Sequence, residues 1–160
     1  MKVRKSTVKD AQLISEIVSE SNRDVAIKFG LDANNCQKHP SFYNEEWVKA
    51  DFDRGEQYFI LESETLVYGC VAVERPNDEV LYLNRLSVLP PYRQQGCGRN
   101  LVEFVIKQAK SVSINVISIG VIGEYAELIK WYKKLGFMPT ETKRFPHLPF
   151  TVQYMTYKIN

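Results

Sequence analysis

A chain of 160 residues, 44% hydrophobic and 25% charged, fits one folded domain with a sizeable core and excludes the disordered and fibrous classes. With 21 Lys and Arg against 19 Asp and Glu, the formal charge of +2 supplies no bulk basic field for nucleic acid. The start MKVRKSTVKD has no apolar signal-peptide core and no run approaches the ~18 apolar residues of a membrane helix, while Cys36, Cys70 and Cys97 are scattered, form no CxxC and find only His39 and His147 as metal partners, so the expectation is a cytoplasmic protein with reduced thiols, no metal, and neither membrane nor nucleic acid as partner.

Lys2 to Ser6 predicts a short first strand. Thr7-x-x-Asp10 then has the form of a capping box with Asp in place of Glu, and Ala11, Ile14, Ile17 and Val18 follow at helical spacing. Asn22 to Pro40 is polar and reads as irregular, with at most a short helix around Arg23 to Phe29. Ser41 is a candidate cap for a helix reaching Arg54, with Gly55 as its stop. Gln57 to Leu61 and Leu66 to Val73 predict paired strands joined by the polar turn Glu62 to Thr65. After a turn at Pro76-Asn77-Asp78, Val80 to Val88 reads as a third strand of this group. Leu101, Val102, Val105 and Ala109 mark one face of a helix. Val116 to Val121 predicts a buried strand. Tyr125, Leu128, Ile129, Tyr132 and Leu135 mark a second amphipathic helix, which Gly136 ends. Thr142 to Ile159 predicts two strands around the turn FPHLPF. The order β-α-α-β-β-β-loop-α-β-α-β-β defines a mixed α/β domain spanning residues 1–160.

Between strand and helix stands VLPPYRQQGCGRNL, Val88 to Leu101. A strand-to-helix loop gathers main-chain N–H groups at the positive end of a helix dipole. Gly96 and Gly98 let the main chain approach a ligand closely, and Arg93 and Arg99 add charge. This chemistry suits a phosphate or pyrophosphate. It is not a nucleotide P-loop, because no Lys-Ser/Thr follows Gly98, nor a dinucleotide fingerprint, because Leu101 stands where the third glycine belongs.

The block Arg93-Gln94-Gln95-Gly96-Cys97-Gly98, preceded by Val88-Leu89-Pro90-Pro91-Tyr92, resembles motif A of the GNAT superfamily of acyl-CoA N-acyltransferases, which runs R/Q-x-x-G-x-G/A after V-x-P-x-Y-R. Leu128 to Phe137, LIKWYKKLGF, resembles that family's motif B, whose helix ends in Y-x-K-x-GF. The two blocks stand in the family's order and separation, most securely over Gln57 to Phe137. The resemblance implies a central mixed sheet of about six to seven strands flanked by about four helices. It implies acetyl-CoA as co-substrate, an amine of a small molecule or peptide as acceptor, and a homodimer as one family habit, although no interface is legible.

Residue by residue, the resemblance places main-chain groups of Leu86, Ser87 and Val88 against the pantetheine arm, and the amides of Gln94, Gln95, Gly96, Cys97, Gly98 and Arg99, with Arg93 beside them, around the pyrophosphate. Tyr132 matches the family tyrosine near the CoA sulfur, as acid or hydrogen-bond donor to the leaving thiolate; by spacing alone it reads as core. Two positions depart from the pattern. The strand carboxylate that often serves as base is missing, since Tyr82 and Asn84 occupy its candidate positions. Glu79, Glu74, His147 and a water relay stay open for that role. Tyr125 replaces an asparagine that contacts the CoA. Cys97 reads as a small residue whose thiol pKa a helix dipole could lower. Asn22 to Tyr43 and FPHLPF are expected on the acceptor side. A non-catalytic acyl-CoA sensor is the rival reading.

Overall fold

In the computed structural model, which describes residues 1–159, seven strands form one sheet in the order β1-β2-β3-β4-β5-β7-β6. They are β1 (Lys2–Lys5), β2 (Gln57–Glu62), β3 (Val67–Glu74), β4 (Val80–Val88), β5 (Val116–Ile122), β6 (Met138–Arg144) and β7 (Thr151–Lys158). The helices are α1 (Ala11–Phe29), α2 (Glu45–Asp53), α3 (Cys97–Ser111) and α4 (Ala126–Lys134). Strand periodicity explains the layering, because successive side chains of a strand point to opposite faces. Phe59 and Leu61 of β2, with Val71 and Val73 of β3, join a core containing Leu101, Val102 and Val105 of α3 and Tyr132 of α4. Their neighbours Tyr58, Ile60, Cys70 and Ala72 pack on the other face against Ile14 and Val18 of α1 and Val48 of α2.

Every strand pair is antiparallel except β4 with β5. That parallel pair is registered only at Val80–Val116, Leu81–Ile117 and Tyr82–Ser118. Beyond Tyr82 the two strands part, which opens the middle of the sheet. β4 also carries a bulge. Ala72 faces Asn84 and Cys70 faces Ser87, so Arg85 and Leu86 together oppose Val71. Arg85 takes φ +48°, a left-handed value uncommon for a residue with a side chain. The extra residue resets the alternation: Leu81 and Leu83 face the α3 core before it, and Leu86 and Val88 pack there after it. Gly69 lies beside this bulge, where a Cβ would stand 2.2 Å from the Ser87 carbonyl oxygen.

Three expectations need correction. α1 does not stop near Asn22 but runs unbroken to Phe29, ended by Gly30 at φ +64° with its N–H on the Ala26 and Ile27 carbonyls. The polar Asn22 and Asp24 break the apolar stripe because that turn faces a cleft rather than core. Ser41 does not cap α2. It sits in a 3₁₀ turn, Pro40–Phe42, and the cap is Asn44, whose Oδ1 accepts the Trp47 N–H at 2.9 Å. β6 begins at Met138 rather than Thr142; it is an exposed edge strand and carries Pro139. The Thr7–Asp10 capping box forms as read, with the Thr7 N–H donating to Asp10 Oδ2 at 2.9 Å. No helix among the described residues is long and apolar enough to cross a membrane.

Gly69→Ala is expected to destabilise the fold by about 1–3 kcal/mol, because the new methyl meets main chain and not a movable side chain. Thermal melts check this, and an unchanged Tm would mean that the bulge can shift to make room.

Candidate functional site

Two cavities meet where β4 and β5 part. The first, about 410 Å³, lies between the β4–α3 loop, the polar turn of α1 and α4. Leu86, Ser87, Val88, Arg93, Gln94, Gly96, Cys97, Gly98 and Arg99 all line it, so nine of the ten residues read as cofactor-binding are brought together. Gln95 does not line it; its side chain turns back to donate to the Pro91 carbonyl at 3.2 Å. The loop conformation exposes main-chain donors. Gln94 has φ +60° and Gly96 φ +83°, and α3 starts at Cys97 without a side-chain cap. The first helical bond is the Asn100 N–H to the Gly96 carbonyl, at 2.9 Å. Among the described residues, none of the amides from Gln94 to Arg99 donates to another group. Six successive free N–H groups at a helix N-terminus form a cradle for an anion. Gly98 keeps the wall thin: a Cβ there would lie 3.2 Å from the Trp131 ring.

The arginines behave differently from their sequence reading. Arg93 donates to Asp24 at 2.7 Å, to the Ser21 carbonyl at 2.6 Å and to the Val88 carbonyl at 3.3 Å. Its guanidinium is a strut between loop and α1. Arg99 pairs with Glu103 at 2.9 Å on the exposed side of α3. The charge of the cradle is therefore mostly that of its amides and helix dipole. Cys97 also needs correction, since burial pushes its thiol up rather than the dipole drawing it down.

The second cavity, about 330 Å³, shares Asn22, Val25, Leu86, Tyr125 and Leu128 with the first, so the two communicate beneath Leu86. Tyr132, Asn84, Arg85, His39 and Phe150 line its remaining walls. Tyr132 is 4% exposed and packs edge-on against Trp131 and Phe137. Burial pushes its phenol well above the ordinary value, so it stays protonated. Tyr125 stacks on Phe29 with 5.4 Å between ring centroids, and Lys28 lies over its ring at 4.8 Å. The end of α1 thus closes over the start of α4. The FPHLPF turn joins this cover: Leu148 and Phe150 pack with Ala26, Leu31 and Cys36. His147 lines a third cavity outside the cover and does not reach the second. Neither Glu74 nor Glu79 lines either joined cavity.

Below the second cavity lies a buried polar network that the sequence reading missed. The Tyr43 and Tyr58 hydroxyls each donate to Asp51 Oδ2 at 2.6 Å. Arg54 bridges Asp51 and Glu56 at 3.1 and 3.0 Å. Arg85 pairs with Glu56 and donates from Nε to the Tyr58 hydroxyl at 2.8 Å. Asn84 donates from Nδ2 to Glu56 Oε1 at 2.8 Å. Burial raises Glu56 above its ordinary value, offset in part by Arg85 and Asn84. Burial also opposes the charge on Arg85, but Tyr58, Glu56, Tyr43 and Asp51 more than compensate, so it stays ionised. An arginine in the middle of the β-rich run LYLNRLSV was the available signal, as was the slip in its alternation.

The comparisons agree with this architecture. The model of the acetyltransferase (GNAT) family matches residues 19–137, and the chain belongs to that family. Among curated relatives, an amino-acid acetyltransferase of Pseudomonas aeruginosa is 29% identical over 92 residues, covering 57% of this chain and 20% of the relative. A probable N-acetyltransferase, camello, of Xenopus tropicalis is 28% identical over 109 residues, covering 64% and 50%. The chain thus spans about a fifth to a half of the curated relatives it matches. Among solved structures, yncA of Salmonella typhimurium, a putative acetyltransferase with its cofactor acetyl-CoA, superposes with TM-score 0.70 at 20% identity, over 100% of this chain and 94% of that one. The ribosomal-protein-S18-alanine N-acetyltransferase of Escherichia coli superposes with TM-score 0.74 at 17% identity, over 99% and 93%. These likenesses establish the fold.

His39 gives a pH signature. It is buried, its Nδ1 accepts the Ser41 N–H at 3.2 Å, and burial pushes its pKa down from 6.5 to about 4. The unfolded chain therefore binds a proton that the folded chain refuses between those values, and stability falls as pH drops through that window. Denaturant melts at pH 7 and pH 5 should show the loss in the wild type and a smaller loss in His39→Gln. An equal loss in both would place the acid sensitivity elsewhere.

Proposed function

We propose that the protein is an N-acetyltransferase that transfers an acetyl group from acetyl-CoA directly to a primary amine of a small molecule or peptide. The observation that carries this reading is the row of six free amides from Gln94 to Arg99 opening onto one cavity, joined beneath Leu86 to a second cavity lined by a buried, protonated tyrosine. Acetyl-CoA supplies an activated thioester. In this reading the amides hold its pyrophosphate, and each charge-assisted hydrogen bond there contributes about 1.5–3 kcal/mol. Main-chain groups of Leu86, Ser87 and Val88, on the side of β4 released by β5, meet the pantetheine arm. The thioester then lies where the cavities join.

The transfer forms a C–N bond, breaks the C–S bond and moves one amine proton to the leaving sulfur. A main-chain N–H near the β4 bulge would stabilise the oxyanion that forms as the amine attacks. Tyr132 donates a hydrogen bond to the developing thiolate. Its raised pKa favours such donation over complete proton transfer, and the amine's own proton makes the final thiol. No carboxylate lines the second cavity among the described residues, so in this reading water relays that proton from the amine to the sulfur. The same lack of a carboxylate favours the rival, an acyl-CoA sensor, which predicts binding without turnover.

Two variants test the reading against a panel of amines, amino acids, polyamines and peptides. Tyr132→Phe should lower kcat by about 10²-fold, while the KM for acetyl-CoA changes little; unchanged turnover would remove Tyr132 from the chemistry. Gly96→Arg places a side chain in the cradle at φ +83°, and should weaken CoA binding at least about tenfold by calorimetry. Intact affinity would show that the phosphates bind elsewhere.

A further inference from the structure

The geometry points to an acceptor that carries a carboxylate next to its reacting amine, with Arg85 reading the carboxylate and Asn84 the amine. This rests on the acetyl-transfer reading above and narrows its acceptor to an amino-acid-like molecule.

The bulge in β4 makes the pair. Regular alternation would send neighbouring side chains to opposite faces. Here the extra residue leaves Asn84 and Arg85 on the same face, away from Leu83 and Leu86. Both head groups touch the same atom, Glu56 Oε1, so they lie side by side. Both also line the second cavity, as does Tyr132.

Glu56 fixes what each presents to that cavity. A carboxylate can only accept, so Asn84 must turn Nδ2 toward it. The amide oxygen Oδ1 is left as an acceptor, with no hydrogen bond among the described residues, and an incoming amine can fill it. Arg85 spends Nε on the Tyr58 hydroxyl and Nη2 on Glu56 and Asp51. Its Nη1 makes no hydrogen bond among the described residues, and Arg85 lines the second cavity. The free edge of a guanidinium held by ion pairs and stacked over the Tyr43 and Tyr58 rings is a preorganised carboxylate donor. The charges beneath it are Arg85 and Arg54 against Glu56, Asp51 and the more exposed Glu74. A left-handed arginine over buried acids is an uncommon way to build a strand, and a recognition role explains its presence.

The test uses matched acceptors that differ only at the carboxyl group: free amino acids, their amides and their decarboxylated amines, each assayed for CoA release. The expected result is a preference in kcat/KM for the free acids of roughly tenfold to hundredfold, carried mainly by KM. Arg85→Lys keeps a charge opposite Glu56 and removes the fork, so it should bring the ratio of acid to amide close to one. A merely structural role would lower both members together and leave the ratio standing. Equal use of acids and amides by the wild type overturns the inference but leaves the acetyl-transfer reading intact. Where no member turns over, calorimetry of the acids and amides against the protein–CoA complex decides it. Preferential binding of the acids supports the inference, and no binding or equal binding overturns it.

Discussion

Every feature of the site depends on the short contact between β4 and β5. Three registered pairs hold the two strands at one end, and beyond Tyr82 and Ser118 nothing joins them. A continuous parallel ladder would satisfy the main-chain groups of Leu86 to Val88 within the sheet and leave no space beneath Leu86. Because the strands part, a cavity reaches the middle of the domain from each side, and α1, α3 and α4 form the walls. The sheet remains whole because β5 pairs with β7 along its full length while β3 and β4 pair across the bulge. An opening in the centre of a core is costly, and the antiparallel ladders on both sides offset that cost.

The buried charges fit the same scheme. Asp51, Glu56 and Arg85 lie in an interior where an unpaired ion would cost several kcal/mol, and each has at least one opposite partner, Arg54 reaching Asp51 and Glu56 from the surface. Replacing such a cluster with apolar side chains is often neutral for stability, so stability alone does not account for it. Its effect is positional. It holds Arg85 and Asn84 against the floor of the second cavity and ties α2 and the start of β2 to the bulge. The cluster thus connects the layer formed by α1 and α2 to the strand that lines both cavities.

Much of this was legible in the sequence, for identifiable reasons. Gly96 and Gly98 between a β-rich run and an amphipathic helix pointed to the loop that lines the first cavity, because glycine lets main chain take positive φ and approach a ligand closely. The strands of the central sheet were legible because β2, β3 and β5 are short apolar runs bounded by polar turns, although the bulge slips the alternation of β4. Legibility failed where the site itself disturbs the pattern. Asn22 and Asp24 face a cleft, so the second half of α1 lost its apolar stripe and read as loop. Arg93 and Arg99 read as added charge for phosphate; Asp24, 69 residues away on α1, engages Arg93, and Glu103, one turn along the same helix, engages Arg99. The network of Asp51, Glu56 and Arg85 joins residues far apart in the chain, and no local spacing announces it.

The account's central claim is that this cleft holds the CoA phosphates by the main chain of Gln94 to Arg99. Amide hydrogen exchange across that segment, with and without acetyl-CoA, tests it most directly. The free protein should exchange these amides quickly, since among the described residues none donates a hydrogen bond to the protein. Saturating acetyl-CoA should slow them together, while the outer edge strand β6 stays unchanged. Binding of acetyl-CoA with no added protection from Gln94 to Arg99 would contradict the account and move the cofactor to another surface.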